Sequence, residues 1–224
     1  MMTDTEQERP VKRLARLLIE SSQRSSAAHR QFLLNRRASA DHLRALIALQ
    51  ISGSASSPAR PRPLFDSAQL DAFGAGQFSR CLGEAFRKYD GRRIPRIPNG
   101  DLKMMSRVVS IEGTPRDFNR PAGVTAEYDV PREAWYLRDG GSAEIPYALW
   151  MEIALQPCGF LSAYLDSYAL VDAQEFYFRN LDGAACLKAS GDFRGRTLST
   201  QARLLSSIAS GGTVIQRFGF AVSC

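Results

Sequence analysis

An apolar segment, residues 146–166, constrains the fold of this chain more than any other feature of its sequence. It reads Pro-Tyr-Ala-Leu-Trp-Met-Glu-Ile-Ala-Leu-Gln-Pro-Cys-Gly-Phe-Leu-Ser-Ala-Tyr-Leu-Asp, and such an all-round apolar composition is typical of a buried helix. Pro146 suits the first turn of a helix, where its missing N–H is no loss. Pro157 removes one backbone hydrogen bond within the segment, so we expect a kink there.

Strand-like segments lie on both sides of this predicted helix, two before it and three after it. They are bounded by glycine or proline at several ends and are rich in β-branched and aromatic residues. One long helix among several strands predicts an α+β hot-dog fold, in which an antiparallel sheet wraps a central helix. The predicted strands are 102–112, 122–130, 175–189, 197–209 and 212–223, and short helices are expected at 68–73 and 77–86.

The N-terminal part of the chain differs in composition from the rest. Leucines at three- and four-residue spacing predict a helical extension over residues 10–51. A Ser/Gly/Pro-rich stretch follows and is expected to be a flexible linker. We therefore predict a basic helical arm and linker at 1–62 and a hot-dog domain at 63–224. The arm is either an amphipathic segment that packs on the domain or a docking and spacer element.

The charge distribution and the cysteines exclude several classes of function. The formal net charge is +6, and residues 1–50 carry nine basic residues against five acids. Because Phe32 is the one aromatic residue among them, we expect no nucleic acid as a partner. The widely spaced Cys81, Cys158, Cys186 and Cys224 form no CxxC pair, so no metal site is expected. No apolar run of about 18 residues and no signal peptide are evident, which predicts a cytoplasmic protein with no membrane attachment.

Three stretches carry a resemblance to a known family. The most informative is Ala-Trp-Tyr-Leu-Arg-Asp-Gly-Gly-Ser-Ala-Glu-Ile-Pro-Tyr-Ala-Leu-Trp-Met-Glu-Ile-Ala-Leu-Gln over 134–156, preceded by Glu-Tyr-Asp-Val-Pro-Arg-Glu at 127–133. Residues 64–70, Leu-Phe-Asp-Ser-Ala-Gln-Leu, resemble the opening of the same region. Together they resemble the FabA-like 3-hydroxyacyl-thioester dehydratase domains of polyunsaturated fatty-acid synthases. The third stretch, from Ala-His-Arg-Gln-Phe-Leu at 28–33 through residues 43–50, resembles the helical linker that precedes those domains. In those enzymes two hot-dog folds stand in tandem, and this chain resembles the first.

The resemblance implies catalytic residues, and one of them is missing. Dehydration needs a base for the C2 proton and an acid for the departing hydroxyl, and the family uses a histidine and a carboxyl. Here Glu152 stands at the acid position, and Gln156, one turn later, is placed to orient it. The histidine position falls at Arg138, or at Gly140 with two residues deleted. The chain has two histidines, His29 and His42, and both lie in the predicted arm.

The resemblance also implies a binding site for the substrate. Pro146 matches the family proline, while Tyr147 replaces the family glycine. Tyr147 and Ala148 lie where a helix N-terminus offers unbonded backbone N–H groups, which can stabilise negative charge on a thioester carbonyl. No cofactor is required for this chemistry. The implied partners are an acyl carrier protein with a phosphopantetheine-linked acyl chain and a second hot-dog domain or subunit.

Two functions remain open from the sequence. The chain is either half of a 3-hydroxyacyl-[acyl-carrier-protein] dehydratase, inactive alone, or a non-catalytic hot-dog that binds acyl chains or acyl carrier protein or scaffolds a synthase. The first requires a second hot-dog that supplies the histidine. In both cases we expect a dimer or a part of a multidomain synthase. A structural role for Glu152, as a carboxylate paired with an arginine such as Arg138, is the alternative to the role of an acid.

Overall fold

The structure is a computed structural model that describes residues 62–138, 144–171, 175–210 and 212–224. The predicted helical arm, its linker and both histidines lie outside the described residues, so the predictions for 1–62 remain untested. In the described part of the chain, no helix is both long enough and apolar enough to span a bilayer.

Two short helices open the described domain, as the sequence predicts. Helix α1 spans Ser67–Gly74, and helix α2 spans Phe78–Leu82. Asp66 caps α1 in a capping box with Gln69, because each side chain accepts a hydrogen bond from the backbone N–H of the other residue. A 3₁₀ helix follows at Glu84–Tyr89, and another at Gly100–Leu102.

Four antiparallel strands form one sheet in the order β1-β2-β3-β4. In β2 alternate residues such as Val124 and Ala126 are buried, whereas Thr125 and Glu127 on the other face are partly exposed. This period of two is that of a strand with one face on the core. The strands are β1 Arg107–Glu112, β2 Ala122–Asp129, β3 Thr197–Ser210 and β4 Thr213–Ser223.

The central helix packs against the inner face of this sheet. A short helix α3, Trp135–Arg138, precedes the long helix α4, Tyr147–Tyr164, which contacts β2, β3 and β4. Helix and sheet together confirm the predicted α+β hot-dog fold. Helix α4 continues through Pro157, which has no N–H to donate to the carbonyl of Ile153.

Helix α4 joins two apolar clusters of the core. Its C-terminal half places Phe160 and Leu161 among the aromatic side chains of the opening helices, including Phe73 and Phe78. Its N-terminal half places Leu149 and Ile153 in a second cluster, whose other members include Met104, Tyr128 and Leu198. Both halves of the helix are therefore held by the core, which fixes the orientation of the side that faces away from the sheet.

One predicted strand, at 175–189, is wrong. Residues 176–190 form no regular secondary structure, and most of their side chains are exposed. Phe176 packs on Tyr168, with ring centroids 5.4 Å apart, and donates its backbone N–H to the carbonyl of Arg93. The segment begins with aromatic residues that favour a strand, but its backbone pairs with no strand of the described residues.

Candidate functional site

One side of helix α4 is left uncovered by the sheet. Ala148 is exposed, and Met151, Glu152, Leu155 and Gly159 are partly exposed, while most other positions of the helix are buried. Their spacing of three and four residues places them on one face of the helix. We call these five residues the open stripe. Glu152 is the ionisable member of this stripe.

Gln156 holds the carboxylate of Glu152. Its Nε2 donates to Glu152 Oε2 at 3.0 Å and to the carbonyl of Leu102 at 2.8 Å, and its Oε1 accepts from the N–H of Met104 at 2.8 Å. Both amide protons and the amide oxygen are thus engaged, so the orientation of the amide is fixed by its partners. Gln156 is only 5% exposed, which excludes water as an alternative partner.

The two carboxyl oxygens of Glu152 differ in their hydrogen bonding. Oε2 accepts the hydrogen bond from Gln156, whereas Oε1 makes no hydrogen bond within the described part of the chain. A proton carried by Glu152 therefore belongs on Oε1, since Oε2 already faces a donor. The Glu152–Gln156 contact that the sequence predicted at one-turn spacing is present.

The ion-pair alternative for Glu152 is not observed. Among residues 62–138, 144–171, 175–210 and 212–224, no basic side chain forms an ion pair with this carboxylate. Arg138 ends helix α3 and is exposed. The hydrogen-bond partner of Glu152 among the described residues is the neutral amide of Gln156.

The start of helix α4 is also accessible. Pro146, Tyr147 and Ala148 are exposed, Tyr147 by 55%. The carbonyl of Pro146 accepts hydrogen bonds from the N–H groups of Leu149 and Trp150, at 2.9 and 3.1 Å. The N–H groups of Tyr147 and Ala148 precede this ladder, and no side chain caps the helix. The helix therefore begins with two donors at its positive end.

The described residues include no histidine. Of the two positions that the resemblance indicates for a histidine, Arg138 is an exposed arginine and Gly140 lies outside the described residues. Cys158 is no substitute, because burial raises the pKa of its thiol to about 12. Its Sγ donates to the carbonyl of Ala154, and Cys158 as a whole is 4% exposed. In the described ranges no group of three or more potential ligands gathers to hold a metal ion.

Sequence reasoning missed two features beside this site. The backbone groups of Leu102 and Met104 hold Gln156, but a backbone contact leaves no residue-type signal in a sequence. The hydroxyls of Tyr128 and Tyr136 lie 3.1 Å apart in the cluster under the N-terminal half of α4. Burial raises the pKa of both phenols, Tyr128 the more strongly, so both remain neutral.

Comparison with known proteins relates the chain to part of a much longer protein. No family model matches it. It is 33% identical, over a 160-residue alignment, to one of the subunits of the polyunsaturated fatty acid synthase of Thraustochytrium sp.. The alignment covers 67% of this chain but 11% of that relative, so the chain spans a small part of its length. The chain is thus similar to a domain-sized segment of a polyunsaturated fatty-acid synthase.

Proposed function

We propose that this chain is the first half of a 3-hydroxyacyl-[acyl-carrier-protein] dehydratase of polyunsaturated fatty-acid or polyketide synthesis. The observation that carries the proposal is the Glu152–Gln156 pair on the open stripe of the central helix. Gln156 fixes one carboxyl oxygen of Glu152 and leaves the other unbonded in the described residues. A positioned carboxyl with one available oxygen is the arrangement that general acid catalysis requires.

In the proposed reaction Glu152 protonates the leaving group. A base removes a proton from C2 of the acyl thioester, and the electron pair of that C–H bond forms the C2–C3 double bond. The C3–O bond breaks, and the oxygen leaves as water with the proton of Glu152. The products are a 2-enoyl thioester, water, a Glu152 carboxylate and a protonated base, and proton exchange with solvent restores both groups.

The N-terminus of helix α4 is proposed to bind the thioester carbonyl. The N–H groups of Tyr147 and Ala148 would donate to the carbonyl oxygen as negative charge builds on it. Glu152 lies five residues beyond Tyr147, roughly 7 Å along the helix axis. That separation accommodates a carbonyl at one end and a C3 hydroxyl at the other, each with a hydrogen bond.

A second hot-dog, in the same polypeptide or in a partner subunit, supplies the histidine in this proposal. The substrate is carried on the phosphopantetheine arm of an acyl carrier protein. Similarity to part of a polyunsaturated fatty-acid synthase supports both partners, because the relative is about nine times as long as the aligned segment. We expect the chain alone to be inactive, since general-base catalysis contributes about 10²–10⁴-fold.

The proposal is tested with a short 3-hydroxyacyl carrier-protein substrate and mass-spectrometric detection of water loss. The chain is assayed alone and together with a separately produced histidine-bearing hot-dog domain from a polyunsaturated fatty-acid synthase. Glu152→Gln should retain the melting temperature and lose at least about 100-fold in turnover, because an amide cannot protonate the hydroxyl. Glu133→Gln, at an exposed carboxylate ahead of α3, is the matched control and should be fully active.

Three results would contradict the proposal. Turnover by the chain alone would mean that the base lies within it. Unchanged turnover in Glu152→Gln would reduce Glu152 to a structural carboxylate. A large fall in melting temperature in that variant would indicate a paired, buried charge, because breaking such a pair commonly costs about 3–5 kcal/mol.

The non-catalytic alternative is favoured by one observation, the lack of a histidine among the described residues. A chain of that kind would bind acyl carrier protein but give no turnover with any histidine-bearing hot-dog. Titration calorimetry with acylated carrier protein, run on the same assembled sample as the activity assay, separates the two functions. Binding without water loss, unaffected by Glu152→Gln, would favour the alternative.

A further inference from the structure

The segment 175–190 has the sequence of a strand but lacks a strand's hydrogen bonds. It reads Glu-Phe-Tyr-Phe-Arg-Asn-Leu-Asp-Gly-Ala-Ala-Cys-Leu-Lys-Ala-Ser. Phe176 donates its N–H to the carbonyl of Arg93 at one end, and an isolated bridge joins Asp192 to Glu144 beyond the other. Between them, residues 177–190 form no backbone hydrogen bond with the described backbone. Unpaired backbone with apolar side chains is a template for pairing with another strand.

The segment lies alongside the central helix, with its outer side uncovered. Phe178 lies over Gly159, where an added Cβ would be 3.4 Å from the Cε2 atom of Phe178. Tyr177, Leu181 and Leu187 are 64%, 75% and 46% exposed, and Leu181 is the most exposed large apolar side chain of the described residues. Three large exposed side chains on one short segment make it a candidate interaction surface.

The side chains in the two halves of the segment are complementary in size. Three consecutive aromatic residues, 176–178, precede Leu181, and three small residues, 184–186, follow it at the same distance. In an antiparallel pair about a two-fold axis, each residue before the axis faces the residue equally far beyond it. We propose that segment 175–190 pairs with the same segment of a second copy of this chain, antiparallel and centred on Leu181.

The side chains agree with this register. Phe178, Tyr177 and Phe176 face Ala184, Ala185 and Cys186 of the second copy, so every ring meets a small side chain. Asn180 faces Asp182, whose carboxylate accepts hydrogen bonds from the amide. Leu181 faces Leu181 at the axis.

The charges agree as well. Arg179 faces Gly183 and Glu175 faces Leu187, so no like charges are opposed, which would be destabilising. If the two-fold axis lay one residue earlier, Phe178 would face Asp182 of the second copy. If the axis lay one residue later, the two copies of Asp182 would face each other. The register centred on Leu181 is therefore the one that both size and charge favour.

The first test is the oligomeric state of the full chain. Sedimentation equilibrium should show a reversible monomer–dimer equilibrium. Leu181→Asp should weaken the dimer at least about tenfold, because it replaces an apolar pair at the axis with two opposed carboxylates. Leu64→Asp is the control, since Leu64 is 53% exposed and hydrogen-bonded through its backbone to Val108 of β1. Circular dichroism establishes that both variants are folded.

The second test is the register itself, by disulfide cross-linking in a Cys186→Ser, Cys224→Ser background. The other two cysteines, Cys81 and Cys158, are buried. Leu181→Cys should cross-link under mild oxidation, because residues opposed in an antiparallel pair have Cβ atoms about 4.5–5.5 Å apart. Leu187→Cys should not, because the two copies of residue 187 would lie roughly 40 Å apart.

These outcomes stand apart from the proposed dehydratase activity. A monomer at all concentrations, a dimer unaffected by Leu181→Asp, or equal cross-linking at 181 and 187 would each overturn the pairing while leaving the role of Glu152 untouched. Conversely, an inactive assembly with a Leu181-centred dimer would overturn the dehydratase proposal alone.

Discussion

The hydroxyl of Thr200 on β3 donates a 3.2 Å hydrogen bond to the carbonyl of Ile153 in the central helix. Four residues after Ile153 stands Pro157, which has no N–H, so the helix itself cannot supply the usual donor. Both Thr200 and Ile153 are almost fully buried, which leaves no water to take that place. A strand side chain thus compensates for a proline in the helix that it supports.

Removing this hydroxyl should destabilise the protein in a way that depends on Pro157. Thr200→Val keeps the side-chain shape and leaves a buried carbonyl without a donor, so we expect a loss of about 1–3 kcal/mol in the free energy of unfolding. Pro157→Ala restores a backbone N–H to the same carbonyl. In that background Thr200→Val should cost at least about 0.5 kcal/mol less. Urea unfolding of the four proteins measures this coupling, and strictly additive losses would contradict it.

Gln156 should matter for stability as well as for the orientation of Glu152. Gln156→Leu removes the donor to the Leu102 carbonyl and the acceptor for the Met104 N–H, so we expect a loss of about 1–3 kcal/mol. Gln201→Leu is the control, because Gln201 is partly exposed on the outer face of β3 and makes no side-chain hydrogen bond with the described residues. Equal unfolding free energies for the two variants would count against the Gln156 clamp.

The four cysteines should fall into two classes of reactivity. Burial raises the pKa of Cys81 to about 12, with a further contribution from Asp66, and burial raises the pKa of Cys158 to about 12. At pH 8 these two thiols hold almost no thiolate, which is the reactive form. Cys186 and Cys224 are exposed. Maleimide labelling of dilute, monomeric protein followed by peptide mapping should modify the exposed pair within minutes and the buried pair only after urea unfolding. Rapid native labelling of Cys158 would show that the helix opens.

Stability should decline in alkali through the buried tyrosines. Burial raises the pKa of Tyr168, and nearby Tyr89 and Asp166 raise it further. An unfolded tyrosine ionises near pH 10, so the folded protein keeps a proton that the unfolded chain loses. The stabilisation is complete below about pH 10 and falls above it by about 1.4 kcal/mol per pH unit for each such group.

Tyr168→Phe provides the control for this alkaline loss. The variant loses the hydrogen bond that Tyr168 donates to the carbonyl of Pro95, so it should be less stable at pH 8. It should also lose less stability than the wild type between pH 9.5 and pH 11, as measured by urea unfolding. Parallel declines in the two proteins would assign the effect to other groups.

The candidate site was predictable to the extent that its chemistry lies along one helix. Glu152 and Gln156 are four residues apart, so helical periodicity alone places them side by side, and their hydrogen bond follows. The groups that fix Gln156 come from Leu102 and Met104, more than fifty residues earlier. These backbone groups reach Gln156 only because two distant segments of the chain pack together. A local sequence pattern cannot predict such a contact.

Apolar patterns in the sequence were enough to predict the central helix, at 146–166, and the segments that contain β1 to β4, because such patterns act within a few positions. The tertiary structure alone decided which side of the central helix stays open, and it left segment 175–190 unpaired in spite of its strand-like pattern. A strand exists only when a neighbour supplies hydrogen bonds along its edge. Its composition can specify the propensity to pair, but the partner is set by the arrangement of the whole chain in space.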